Sequence, residues 1–232
     1  MKLSSLIAIS CLVSVPAWAQ SRQWVVTKTE WTSTDEANFS SFVQALGRSK
    51  CNTVHKCITS SANPYRGSDP NDVQFYSDCA DFPYFLRSYF AWKNGLPFSY
   101  VSSVRSVDAD ERKKNPPVLA PGETEKPLDS RYSSLGNYAT GRTSLVPAPG
   151  KSLDFFSTMT RLQNIVFSGT LRIGPAATSK VANDFYSPAI KIGSIRPGTT
   201  IYDSNGHVAV IYDVLADGRA LFFDAHPDNS VT

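Results

Sequence analysis

Apolar residues at Phe82, Phe85, Leu86, Tyr89 and Phe90 recur at i, i+3, i+4, i+7 and i+8, the stripe of a helix that buries one face. The pattern predicts a helix over 82–92, closed near Lys93-Asn94-Gly95 with Pro97 just beyond. Pro83 is tolerated only in a first turn, so the regular helix is expected to begin near Asp81. Cys79 then stands on the last residues of the preceding loop. A second stripe (Phe39, Phe42, Val43, Leu46) follows capping residues at Ser33-Thr34-Asp35-Glu36 and stops at Gly47. A third, from Leu153 through Phe156, Met159, Leu162, Ile165 and Val166, predicts a helix over 153–167.

Strand-like patterns lie between and after these helices. Residues 23–28 read as a short strand or extended arm, and 99–106 alternate weakly. Near the end, Ile201-Tyr202-Asp203, the turn Ser204-Asn205-Gly206 and residues 207–212 read as strand, tight turn, strand. Asp217-Gly218 is a second turn, and residues 220–226 form a third strand. Helices followed by antiparallel strands define an α+β architecture. Residues 49–76 are polar and broken by Asn63-Pro64 and Asp69-Pro70, which predicts turns. Residues 108–150, with their charge cluster at 110–114 and repeated prolines, predict a long irregular excursion, a lid or loop. No internal repeat is present.

The first residues change the picture of where the chain works. Lys2, a mostly apolar run over 3–15 and Ala17-Trp18-Ala19 have the form of a cleavable secretory signal, with cleavage expected between Ala19 and Gln20. That run is too short to span a bilayer, and no later segment is long and apolar enough. A secreted or periplasmic protein of one domain over 20–232 is expected, with 108–193 as an inserted lobe. The formal net charge of +3 is small and evenly spread, which argues against nucleic acid as a partner.

Cysteine parity matters more. Removal of the leader takes Cys11 with it and leaves Cys51, Cys57 and Cys79, an odd number for an oxidising compartment. Cys51 and Cys57 are close enough in sequence to close a small ring, leaving Cys79 as a free thiol; other pairings remain open. A metal site from Cys51, His55 and Cys57 lacks a fourth ligand nearby, and neither metal nor cofactor is expected. A thiol at a helix N-terminus faces unpaired N–H groups and the positive end of the dipole, which favours thiolate.

Of the three histidines, His55 reads as structural, whereas His207 opens a Val/Ala/Ile strand after a glycine turn. In Phe222-Phe223-Asp224-Ala225-His226, alternation puts Phe222, Asp224 and His226 on one face. A carboxylate there needs a partner, and an imidazole on the neighbouring strand would be oriented by it.

Asp78-Cys79-Ala80-Asp81-Phe82, Gly206-His207-Val208 and the polar residue before Ala225 resemble the motifs of the NlpC-type cell-wall peptidases, papain-like hydrolases related to the CHAP amidases. Arg196-Pro197-Gly198 is similar to the turn before that family's histidine strand, and Asn63-Pro64-Tyr65 to the segment ahead of its nucleophile. The resemblance covers roughly 63–100 and 195–227. It implies a papain-like fold, N-terminal helices packed on an antiparallel sheet, with a large insertion between the nucleophile helix and the histidine strand. It implies Cys79 as nucleophile, His207 as base and Asp224 as the third residue, with Tyr65, Asp78, Asp81 and His226 at oxyanion or substrate positions. Peptidoglycan stem peptides are the implied substrate. Asp81 departs from the family's glycine and either opposes thiolate formation or binds a substrate cation. Acyl transfer, another amidase activity at the same site, and a catalytically inactive binding protein are the competing readings.

Overall fold

The computed structural model describes residues 21–125, 136–148, 150–171, 180–189, 191–203 and 206–232. The expected secretory leader lies outside these residues, as do Ser204 and Asn205 of the predicted tight turn. The chain is mixed α and β, with about 30% helix and 21% strand in small antiparallel sheets.

Three helices and one sheet place the site. Helix α1 (Ser33–Arg48) starts with a capping box: Thr32 accepts from the Asp35 N–H, and the Asp35 carboxylate accepts from the Thr32 N–H. Helix α2 (Val54–Thr59) follows. Helix α3 (Phe82–Asn94) buries all five residues of its predicted stripe, and Tyr84, Ser88, Ala91 and Trp92 as well. A helix covered on most sides is a core helix, more deeply enclosed than one stripe would require. It ends on Gly95 with φ 62°, the left-handed cap that only glycine adopts without cost. Trp92 stacks on Phe155 at 4.3 Å, which fixes α5 (Phe155–Gln163) against it.

The sheet orders β5 (Thr200–Tyr202), β6 (Val208–Val214) and β7 (Ala220–Phe223) as 5-6-7, all antiparallel. Central β6 buries Val208, Ala209, Val210 and Ile211 in succession, as a strand covered on both faces must. Helix α1 lies against it so closely that a Cβ at Gly47 would overlap the Tyr212 ring. Gln44 and Arg48 both bond the buried Asp213 carboxylate, at 2.9 and 2.8 Å. The first turn of α3 meets β7 through Phe82 and Phe223, edge to face at 4.9 Å.

The structure corrects several expectations. The polar stretch 49–76 holds α2 and a 3₁₀ turn (Arg66–Ser68). The segment read as irregular begins with α4 (Val107–Lys114) and returns as β3 (Asn137–Leu145). Strand β3 pairs antiparallel with β2 (Phe98–Ser106), from Phe98↔Leu145 to Ser106↔Asn137. The helix expected from Leu153 starts at Phe155. Leu153–Asp154 is instead a strand, β4, pairing with β1 (Gln23–Trp24), and Asp154 caps α5 by accepting from Ser157 N–H at 2.7 Å.

The C-terminal residues fold back onto the Cys51–Cys57 loop. Val231 N–H donates to Asn52 O at 3.1 Å, Val54 N–H donates to Asn229 O at 3.2 Å, and Thr53 bridges Ser230. Thr232 and Asp224 exchange backbone bonds, both 3.2 Å long.

Candidate active site

Cys79 lies two residues before the N-cap of α3, which is Asp81. The turn that holds it is local: Asp81 N–H donates to Asp78 Oδ1 at 3.0 Å, and Phe82 N–H to Asp78 O at 3.0 Å. An Asp that bonds the backbone ahead of it is a turn-former, so Asp78 has a structural reason to precede the cysteine. Pro83 occupies the first turn, where it removes no helical bond.

The thiol is free and half-buried, while Cys51 and Cys57 form the expected disulfide. That pairing removes the metal-site reading of the same loop. His55 is structural: its Nδ1 accepts from Phe75 N–H at 3.4 Å and its ring stacks on Phe75. The helix start does not lower the thiol as the sequence suggests. Burial pushes Cys79 above its ordinary value of 9.0, and the Asp78 charge adds to the rise. The backbone N–H groups of Val208, Ala80 and Cys79 pull the other way, Val208 most strongly, but do not prevail. The sulfur therefore sits beside the main chain of the residue that follows His207.

His207 precedes β6 with its Nε2 2.7 Å from Asp224 Oδ2. Asp224 is buried, and the His207 ring is half-exposed. An ionised carboxylate only accepts, so Nε2 carries the proton and Nδ1 of the neutral ring is the basic nitrogen. Among the described residues no hydrogen bond joins Nδ1 to the Cys79 sulfur. The expected face shared by Phe222, Asp224 and His226 survives in part. Asp224 and His226 converge on His207, while Phe222 is exposed and Phe223, Asp224 and Ala225 are buried in succession. Strand β7 ends at Phe223, which frees the next residues from strict alternation.

Asp78 and Asp81 form a carboxyl pair in the same turn as the thiol. Burial, then the Asp78 charge, raises Asp81 to about 8. At neutral pH Asp81 is mostly protonated, so it adds little negative charge beside Cys79 and offers little to a substrate cation. Its Oδ1 has no hydrogen-bond partner among the described residues.

Tyr65 does not join this group. Asn63 Nδ2 donates to Ile58 O at 2.7 Å and Tyr89 Oη at 2.8 Å, and Asn63 Oδ1 accepts from Tyr65 N–H at 3.0 Å. Tyr65 Oη reaches Asn94 Oδ1, at the last residue of α3. With thirteen residues in α3, a rise of 1.5 Å per residue separates that end from Cys79 by about 20 Å. Tyr76, like Tyr84, is coupled to this turn: its hydroxyl donates to Pro227 O at 2.6 Å, and burial first, then the charges of Asp78 and Asp81, oppose its own ionisation. No periodicity marks Tyr76 in its turn-rich stretch.

A cleft of about 1020 Å³ runs away from the site. Neither Cys79 nor His207 lines it. Its walls include Pro83 and Tyr84, just past Asp81, and Tyr202, the cross-strand partner of Val208. Asp184 ties its wall together by accepting from Tyr84 Oη at 2.8 Å, Val101 N–H at 2.7 Å and the Arg142 guanidinium at 2.6 Å.

No known family, characterised protein or solved structure matches this chain.

Proposed function

We propose that the chain is a secreted cysteine hydrolase of papain-like type that cleaves amide bonds, with peptidoglycan stem peptides as its substrate class. The observation that carries the reading is the His207–Asp224 pair, 2.7 Å apart, beside the free Cys79 thiol. The order of parts supports it: a nucleophile before a core helix, a base at a strand start, and an orienting carboxylate past the next strand. The substrate class rests on the resemblance of the motifs alone.

In the resting site Cys79 is a thiol, because burial opposes its charge. Nδ1 of His207 takes the thiol proton as the sulfur attacks the amide carbonyl, and Asp224 stabilises the imidazolium that forms. The negative oxygen of the tetrahedral intermediate is held by N–H groups around the sulfur, Cys79 N–H first among them. The imidazolium then protonates the leaving amine. Water, activated by the same ring, releases the acyl group and regenerates the thiol.

Cys79→Ala is expected to abolish hydrolysis of stem peptides and labelling by iodoacetamide at this position. His207→Ala is expected to slow turnover by about 10²–10⁴-fold, the usual contribution of a general base. Labelling of the wild-type thiol should rise as pH passes above 9.0, because burial holds the thiol proton. Full turnover by Cys79→Ala would remove the nucleophile.

A second reading is favoured by the missing Cys79–His207 hydrogen bond: a catalytically silent protein that binds peptides in the cleft. It predicts slow iodoacetamide labelling unaffected by His207→Ala, and peptide affinity that survives Cys79→Ala.

A further inference from the structure

His226 is placed where the steps above make no use of it. Its Nε2 lies 3.1 Å from Asp224 Oδ2, the same oxygen that His207 contacts at 2.7 Å. It also lies 3.0 Å from Thr232 Oγ1. The two imidazole rings are near-parallel, 22° apart, with centroids separated by 5.8 Å. His226 Nε2 carries a single N–H, which is directed at the Thr232 hydroxyl, so its approach to Oδ2 is a close contact and not a second hydrogen bond. Thr232 Oγ1 donates to the other oxygen, Oδ1, at 3.3 Å, and the backbone of Thr232 is paired with that of Asp224.

The carboxylate is therefore held at both oxygens, and each contact does something different. Thr232 fixes Oδ1 and the main chain. His207 is the partner that must move charge. His226, with its side chain 37% exposed against 8% for Asp224, donates to Thr232 Oγ1 and leaves that hydroxyl's own proton for Oδ1. Without it, Asp224 could rotate its carboxylate toward solvent, and the His207 ring would lose the contact that selects its tautomer.

We propose that His226 is a positioning residue, a second imidazole that clamps the Thr232 hydroxyl on Asp224 Oδ1, so that Oδ2 stays turned to His207 and Nδ1 of His207 stays the base. The proposal rests on the hydrolase reading for its effect on turnover, but the clamp itself is a statement about one carboxylate.

Two substitutions separate the N–H from the ring. His226→Phe keeps a stacked ring and removes the donor; His226→Gln removes the ring and keeps an amide N–H at similar reach. Expected for His226→Phe is a fall in kcat on stem peptides of about 10–100-fold, the range found when outer partners of metal-bound imidazoles are removed. KM and melting temperature should change little, and His226→Gln should restore most of the loss. In ¹⁵N-labelled protein, the His207 Nε2–H resonance should be present in wild type and His226→Gln and displaced or exchange-broadened in His226→Phe.

An unmoved resonance in His226→Phe overturns the clamp, whatever the turnover. Equal losses in the two variants overturn it as well, since they point to the stacked ring. If neither Cys79→Ala nor His207→Ala affects turnover, the hydrolase reading fails while the resonance still decides the clamp. Should His226→Phe not fold, His226→Ala lacks the donor equally and takes its place in both measurements.

Discussion

At Asp81 the chain keeps a carboxyl that it neither exposes nor pairs with a cation. Tyr76, Asp78 and Tyr84 are the titratable groups coupled to it, and none supplies positive charge. Its folded value of about 8 stands far above the ordinary 3.8. Between those two values the unfolded chain holds fewer protons at this position than the folded one, so stability falls as pH rises. This contribution is complete below 3.8 and is lost as pH rises through about 8. Urea unfolding midpoints of wild type should therefore fall between pH 5 and 8 relative to Asp81→Asn, whose amide cannot ionise. Parallel pH curves for the two proteins would mean that Asp81 ionises freely. Asp35 runs the opposite way: Lys28 and Thr32 lower it to about 2, so its contribution is present above 3.8 and lost as pH falls through about 2. The carboxyl at position 81 was visible in the sequence, but its protonation was not, because its burial is set by the folded chain around it.

Elements were legible where one face carries the periodicity and the ends carry their own signals. Helices α1 and α3 have both: a capping box or proline at the start, glycine at or near the end, and apolar stripes between. Strand β3 has neither. Its Asn-Tyr-Ala-Thr-Gly-Arg-Thr-Ser-Leu run has few large apolar residues, and it exists because β2 lies beside it. Helix α2 is six residues long and depends on the disulfide and the C-terminal residues packed over it. The free thiol of Cys79 and the contact between His207 and Asp224 were legible because cysteine parity, a strand start and a lone carboxylate are local facts. Tyr65 was misplaced because its position depends on Asn63 and Tyr89, a contact between elements. The α1–β6 contact offers a test at this scale. Gly47→Ala should destabilise by about 1–3 kcal/mol, as overpacking does. Chemical denaturation would report it, and an unchanged midpoint would mean that Tyr212 simply moves aside.

Across the molecule, the three arms of the candidate site come from distant parts of the chain and are joined through the core. Cys79 is carried by α3, His207 by β6, and Asp224 by the segment beyond β7 that Thr232 holds. The C-terminal residues are held in turn by backbone bonds to Asn52, Thr53 and Val54, inside the ring closed by Cys51 and Cys57. In the double variant Cys51→Ser/Cys57→Ser, the loss of so short a cross-link should cost roughly 2 kcal/mol. Amide exchange should accelerate at 224–232 more than in α3. Uniform acceleration would mean that the ring supports the fold as a whole and not this segment.

The same ring has a meaning in time. A chain still inside a reducing compartment carries two thiols in place of the bridge, and the residues that hold Asp224 are then less firmly held. For the proposed hydrolase, maturation would follow export: oxidation would set the carboxylate after the protein has left the cell interior. Formation of the bond that fastens the C-terminal residues would thereby be the last step in assembling the proposed site.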